Sequence, residues 1–545
     1  MSLVESADQP KWPTLAMVRK QLTAKLSLTD KILLSASLFC INFVAALDIS
    51  TIGTVQPRVL SDFNAMTKVG AITVIMILLS AGIRPVFAKI TETFGHLEAL
   101  IVSVMFHVLG SLICALAKSF GAIFAGTVFS WLGQTGYSTL VALLVADTLP
   151  IHLRASVTAY ISIPFVTNYY LGIEIANQLY DKWQWVYGIL CILAFVCALP
   201  AVFSLLRLNR RARQMLKESG AGPQPFKGVC AVLIELDVPG LVLLSGGLIA
   251  VLAPLGLQLN STYGWSSAQV IAPIVSGLLT LVAFIYYELR LARYPIVTFR
   301  LLKTRTFACA IMTALLIFFS FNVSLFFFTP YIQVTRDTSA RTAMLLQQGT
   351  TGFHIGLFAG GWAMQFSKRY RRWVWLGWAL CLLAICLMLR SRSGTNVTNA
   401  EIAAVQAILG LGVGIVVGCS GIGVQASVAK LDLTMAITLY GMCEYIGGVL
   451  GEAASTTIWV NVLPTKLEGR MPAYVDVQSA INNITYYQQL PDSQRLVVQD
   501  GYIATQKILT ICGICSISLA AIAILGMAPF DLTTKDDKEL VSTAT

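Results

Sequence analysis

Tyr440, Glu444, Gly448 and Glu452 stand four residues apart, so on a helix two carboxyls and a phenol share one stripe. The stretch around them is otherwise apolar, and carboxyls held among apolar groups are the chemistry a proton carrier uses. Asp48, in Ala46-Leu-Asp-Ile-Ser-Thr-Ile52, and Glu174, with Tyr170 one turn before it and Asn177 and Gln178 one turn after, are further acids in apolar surroundings. Gln347, Thr351 and His354 carry the spacing of a polar face that could bind a solute or relay protons. Each of these groups reads equally as a helix-packing hydrogen bond, and Arg84 as a residue that meets an acid or snorkels to the interface.

The elements that must position these residues are membrane helices. The 545-residue chain is 56% apolar and only 12% charged, against about 45–50% and about 25% for soluble domains. Fourteen apolar stretches of bilayer-spanning length lie between Lys31 and Phe530, and lipid obliges each to be helical. The fifth covers residues 155–178, the ninth 307–332, the tenth 342–366, the thirteenth 433–461 and the fourteenth 505–529. The expected fold class is therefore an all-α polytopic membrane protein with about 14 transmembrane helices. No cleavable signal peptide is expected, because the first span would act as the insertion signal.

The basic residues orient the chain. Of 38 Lys and Arg, 25 fall on the side of the chain ends and 12 in the opposite loops, with Arg84 inside a span, so the tails are expected in the cytoplasm. The net charge of +11 follows from that bias and needs no nucleic acid as partner. Three sequons, Asn260-Ser-Thr262, Asn396-Val-Thr398 and Asn483-Ile-Thr485, fall in loops assigned outside and are candidate glycosylation sites. A fourth, Asn322-Val-Ser324, falls in a span and should be unused. The cysteines lie in spans or, for Cys230, in a cytoplasmic loop, so no disulfide framework is implied.

The expected division is a cytoplasmic tail (1–30), a six-helix bundle (31–206), a basic, glycine- and proline-containing cytoplasmic loop (207–236), two additional helices (237–300), a second six-helix bundle (301–530) and a cytoplasmic tail (531–545). An outside loop at 461–506 could cap a vestibule or act as a plain connector. No phosphate-binding GxxxxGK[ST] loop, Ser/His/Asp spacing or Cys/His cluster occurs in the sequence, which leaves an ATP-driven motor, an enzyme or a resident metal or other cofactor without support. Gly447 and Gly451 permit another helix to approach closely, and six glycines between Gly410 and Gly423 permit a helix that packs tightly and bends. A carrier or a channel remains, and isolated charges in glycine-rich helices favour a carrier.

Ala88-Lys-Ile-Thr-Glu-Thr-Phe-Gly-His-Leu-Glu-Ala-Leu100 resembles the loop signature of the major facilitator superfamily, with Glu92 at the acid position and Gly95 at the second glycine; Ala88, Thr93 and His96 replace its other residues. The resemblance implies that Glu92, Gly95 and the pair Asp147 and Arg154 form a cytoplasmic gate. Ser162-Ile-Pro-Phe-Val-Thr-Asn-Tyr-Tyr-Leu-Gly172 lacks the G-P-x-x-G antiporter motif. Arg84-Pro-Val-Phe-Ala-Lys89, Ala146-Asp147, Arg300-Leu-Leu-Lys303, Val424-Gln-Ala-Ser-Val428 and Gly447-Gly-Val-Leu-Gly451 are similar to runs in the fungal siderophore–iron transporter family, which covers about residues 30–530. That resemblance implies a monomeric major facilitator carrier that imports a ferric siderophore chelate with protons, in the plasma membrane or else a vesicular or vacuolar one. Efflux of a drug, toxin or secondary metabolite, and a receptor that senses a ligand without carrying it, are the alternatives.

Overall fold

The computed structural model describes residues 28–63, 69–218, 237–256, 266–292, 299–392, 397–429, 432–472 and 484–530, with 475, 477 and 481 singly. Asn260, Asn396, Asn483 and Cys230 lie outside the described residues. Among the described residues every regular element is a helix: α1 (Leu28–Asp62), α2 (Val69–Thr93), α3 (His96–Ala115), α4 (Phe120–Thr148), α5 (Ile151–Ser162), α6 (Pro164–Gln178), α7 (Trp183–Glu218), α8 (Val238–Gly256), α9 (Ala268–Arg290), the short α10 (Phe299–Leu302), α11 (Arg305–Leu325), α12 (Phe328–Arg336), α13 (Ala340–Leu346), α14 (Gly349–Ser367), α15 (Tyr370–Ser391), α16 (Asn399–Ser427), α17 (Leu433–Leu467), α18 (Ile484–Gln489) and α19 (Asp492–Leu525). Ten helical stretches among the described residues are long and apolar enough to cross a bilayer.

Each of the fourteen expected segments coincides with a helix or a broken pair, and the breaks are informative. The expected 155–178 helix divides into α5 and α6 because Pro164 cannot donate its nitrogen to the preceding turn and takes the first position of a new helix. The expected 342–366 helix divides at Gln347 and Gln348. Gln347 therefore stands in the elbow and not on one helical face with Thr351 and His354, which corrects that stripe. The 307–332 segment likewise gives α11, then α12. Helices α17 and α19 run well beyond the expected 461 and 505 boundaries, carrying charged residues such as Lys466 and Arg495 that a hydropathy reading assigns to loop.

Helices α1 to α7 pack chiefly on one another, as do α11 to α19, and the two groups meet where α2 lies on α17 and α5 and α6 lie on α14. The pair α8 and α9 docks beside the first of these seams, α8 touching both α2 and α17; Ser245 Oγ donates to Gly82 O at 2.9 Å. One face of α9 presents Leu279, Val282 and Tyr286 outward, each more than 60% exposed, as a lipid-facing helix should.

Close approach is built from glycine. A Cβ on Gly447 would lie 2.3 Å from Leu315 O and one on Gly451 2.5 Å from Phe319 O, so α11 is the helix that this pair admits. Helices α14 and α16 mesh more tightly still, Gly410 against Gly349 O and Gly414 against Phe353 O, each at 2.0 Å from where a Cβ would sit.

On the side away from the chain ends, α12, α18 and the protruding ends of α17 and α19 enclose a core of Phe328, Ile332, Leu467, Tyr487, Val498 and Tyr502. The Tyr487 hydroxyl donates to Val334 O at 2.9 Å, and Arg495 pairs with Asp337. Most of the expected 461–506 loop is thus an ordered cap fastened to the second helix group.

Candidate functional site

A cavity of about 400 Å3 lies between the helix groups, bounded by α1, α2 and α4 on one side and by α11, α14 and α17 on the other. Its chemistry comes from residues spaced along single faces. Asn42, Ala45 and Ile49 come from α1, and Trp131, Gln134, Thr135 and Ser138 from α4. Phe318 and Asn322 come from α11, Phe353 from α14, and Glu444, Tyr445 and Gly448 from α17. Phe165 closes the side at α6. Arg84 and Glu444 are the charged residues among them.

The polar lining groups are held by the helices themselves. Gln134 Nε2 donates to Ala45 O at 3.3 Å, tying α4 to α1, and Thr135 donates to Ser80 Oγ at 3.0 Å. Asn42 and Asn322 each donate to the carbonyl one turn back, Leu38 O at 3.0 Å and Phe318 O at 2.9 Å. Their amide oxygens remain for a guest. Aromatic faces from Trp131, Tyr137, Phe165, Phe318, Phe353 and Tyr445 provide a low-entropy apolar surface with hydrogen-bonding edges.

A second cavity of about 210 Å3 runs from this one along α1 toward its far end, sharing Ile49, Trp131 and Gln134 and lined further by Asp48, Ile52, Gly53 and Gln56. Asp48 is 4% exposed and its Oδ1 has no hydrogen-bond partner. His107 on α3 is the cation-capable group acting on it, and Tyr137, Tyr187 and Cys114 stand in its field. The His107 ring is in turn held by Ser130 Oγ at 3.1 Å.

Of the sequence-derived residues, Glu444 is thus brought into the central cavity and Asp48 into its extension. Tyr440 lies beneath Glu444 with its hydroxyl 2.6 Å from Ser420 Oγ and donating to Val417 O at 3.1 Å. Glu452 is buried two turns beyond Glu444, its Oε2 without a partner. His354 and Thr351 sit on α14 outside the lining; His354 stacks flat on the cavity residue Phe165, ring centroids 4.4 Å apart. Tyr170, Glu174 and Gln347 are grouped elsewhere, at the far end of the α6–α14 seam. There Glu174 pairs with Arg341 on α13. Tyr170 donates to Gln348 Oε1 at 2.7 Å, and Tyr169 donates to the Met344 and Gln347 carbonyls.

The lining residues that the sequence reading missed share one property. Trp131, Gln134 and Ser138 follow helical spacing on α4, so the stripe was present, but uncharged groups in a span carry no large desolvation penalty to draw attention.

At the tail side, Gly95 caps α3 with φ 112°, a backbone state that side chains resist. Asp147 Oδ2 faces His96 Nε2 at 3.2 Å, so histidine stands where the superfamily signature has arginine. Arg154 Nε donates to Leu149 O at 2.9 Å and its Nη1 to Gln425 Oε1 at 3.0 Å, joining α5 to α16. Ser156 Oγ donates to Gln365 Oε1 at 2.9 Å. Glu92 is exposed at the end of α2. Arg154→Ala removes the α5–α16 link, worth about 1 kcal/mol net. Thiol labelling from the tail side of a Ser156→Cys reporter should therefore speed up about fivefold; an unchanged rate means the link holds nothing shut.

The profile of the Major Facilitator Superfamily matches residues 38–286. The human organic anion transporter MFSD10 (TETRAN) superposes with a TM-score of 0.54 over 89% of this chain and 99% of its own, at 12% identity, which speaks to fold alone. Helices, seams and central cavity define a multi-pass membrane protein of the major facilitator fold. The MFS siderochrome iron transporter C of Aspergillus fumigatus is 30% identical over 539 residues, 96% of this chain and 86% of the relative. The siderophore iron transporter mirC of Emericella nidulans is 30% identical over 84% of this chain and 77% of its own. The chain belongs to the fungal siderophore–iron transporter family of the major facilitator superfamily.

Proposed function

We propose that this protein imports ferric siderophore chelates together with protons. The observation that carries the reading is the central cavity: amides, hydroxyls and aromatic rings around one carboxyl, in a chain similar along nearly its whole length to a siderochrome iron transporter. Iron enters with its coordination shell already filled, so the carrier needs groups that recognise the outside of a cage instead of metal ligands. A volume of about 400 Å3 lies within the range of small-molecule sites, and the extension along α1 adds room for a bulkier chelate.

Glu444 is the proton site in this mechanism. It stands on the wall formed by one helix group, within the field of Arg84 on the other, so proton and solute meet at the plane where the groups part. Asp48, Glu452 and His354 are the remaining groups through which a proton could pass. The Arg154–Gln425, Ser156–Gln365, Glu174–Arg341 and Tyr170–Gln348 links are all made here, and alternating access follows if the tail-side pair and the far-side pair open one at a time. We place fourteen crossings in the chain, six in each bundle (31–206 and 301–530) plus the α8–α9 pair within 237–300. Asn260, Asn396 and Asn483 are glycosylated on the outer side, and a monomer works in the plasma membrane.

Radio-iron uptake from a panel of ferric siderophores, in yeast lacking its own carriers, tests the reading. Accumulation that collapses with a protonophore is expected; correctly placed protein that takes up none of the panel would turn attention to efflux.

A further inference from the structure

Arg84 stands in the central cavity in an arrangement that its packing alone does not explain. It lies on α2, immediately before Pro85, with its guanidinium carbon 4.7 Å from the centroid of the Tyr445 ring. Gly441 makes space for it: a Cβ there would come within 1.7 Å of Nη1. Its Nε is buried with no hydrogen-bond partner, and among the described residues no carboxylate oxygen comes within the 4.0 Å of an ion pair. A cation in the middle of a membrane helix is costly unless something answers its charge. The ring face of Tyr445 answers part of it, and Arg84 stands in the wall of a cavity otherwise lined by uncharged groups and Glu444.

The charge balance is simple. With Glu444 ionised, it and Arg84 neutralise each other across the cavity; with Glu444 protonated, the cavity carries one positive charge that a single negative group on the cargo would cancel. The low dielectric makes that cancellation matter. The titratable groups nearest Glu444 are Tyr440, Cys443 and Tyr445 on its own helix and Arg84 on α2, while α11 contributes only Phe318 and Asn322 to the lining.

We propose that Arg84, held by Tyr445 and given room by Gly441, selects cargo by charge, binding an exposed anionic oxygen of the chelate that competes with the Glu444 carboxylate for the same guanidinium. The substrate class is then an iron chelate that presents a carboxylate or other ionised oxygen, preferred over a cationic chelate of similar size. This inference rests on reading the cavity as the chelate site.

The test is competition against initial uptake of a radio-iron neutral trihydroxamate. Competitors are a citrate-type carboxylate chelate and a linear trihydroxamate with a free ammonium. Wild-type protein is expected to bind the anionic competitor at least about tenfold more tightly than the cationic one, the scale of one charged hydrogen bond. Arg84→Gln should bring that ratio within about twofold, and Arg84→Lys should keep part of it. Gly441→Ala, which displaces the guanidinium without removing it, should lower the ratio as Arg84→Gln does. Because each ratio is internal to one variant, the amount of protein at the surface does not enter. An even-handed wild type, or an Arg84→Gln or Gly441→Ala protein that keeps the full preference, overturns the assignment of Arg84 while leaving import intact. Wild-type protein that takes up no chelate at all overturns the import reading and this inference with it.

Discussion

Replacing Glu444 with glutamine abolishes proton-driven accumulation of the chelate while leaving binding and the fold largely in place. The substitution keeps size and hydrogen bonding but removes the only carboxyl that the described residues give the central lining, so the bundles lose the proton as a counterweight to the solute. Accumulation against a gradient should fall to the level set by a protonophore, a loss of about tenfold or more, whereas counterflow of labelled for unlabelled chelate should continue. Wild-type accumulation in the variant would take Glu444 out of the mechanism. Asp48→Asn is the informative companion. If accumulation and its pH dependence are unchanged there, the unpartnered Asp48 carboxyl serves packing beside His107 and Cys114, and the proton moves by way of Glu444 without it.

The second large effect concerns the fold. Gly410→Val and Gly414→Val each force a branched side chain to where the first atom alone would lie 2.0 Å from a carbonyl oxygen of α14. A backbone cannot rotate aside as a side chain can, so the cost exceeds the roughly 1–3 kcal/mol of ordinary overpacking. Little monodisperse protein should survive detergent extraction, as read by fluorescence-detected size-exclusion chromatography. Gly53→Ala provides the contrast: nothing lies within 4 Å of the new methyl, and replacing glycine inside α1 favours the helix by somewhat under 1 kcal/mol. Equal behaviour of Gly53→Ala and Gly410→Val would mean that the α14–α16 seam is not what those glycines maintain.

How much of this was readable beforehand depended on the size of the physical signal. Desolvation of charge is large, so Glu444 and Asp48 stood out in the sequence, and both reached cavities. The close approach permitted by Gly447 and Gly451 was legible as well, although its partner, α11, was not, because spacing along one helix says nothing about which distant segment fills the groove. Glu174 illustrates the same limit from the charged side. It reads as a pathway acid, and nothing in its own helix shows that Arg341, far along the chain, stands against it. Breaks in the helices were hidden for a different reason: hydropathy averages over a window, so it passes smoothly across Ile163–Pro164 and across Gln347–Gln348. It also ends a helix where charge begins, although α17 and α19 continue past that point on backbone hydrogen bonds and a packed cap. Arg84 was visible but ambiguous, since its surroundings, Tyr445 and Gly441, come from a helix more than three hundred residues away.

Two of the three interrupted segments face each other, α5 and α6 on one side of a seam and α13 and α14 on the other. A wall jointed on both faces need not move as a plank. Its lower panels, α5 on α14, can stay shut while the upper panels, α6 and α13, swing with the Glu174–Arg341 latch. For a guest as rigid and bulky as a caged metal ion, that construction works as an airlock: the mouth can widen to the full girth of the cargo without loosening the floor, and ions that would leak through a doorway opened from top to bottom are kept out.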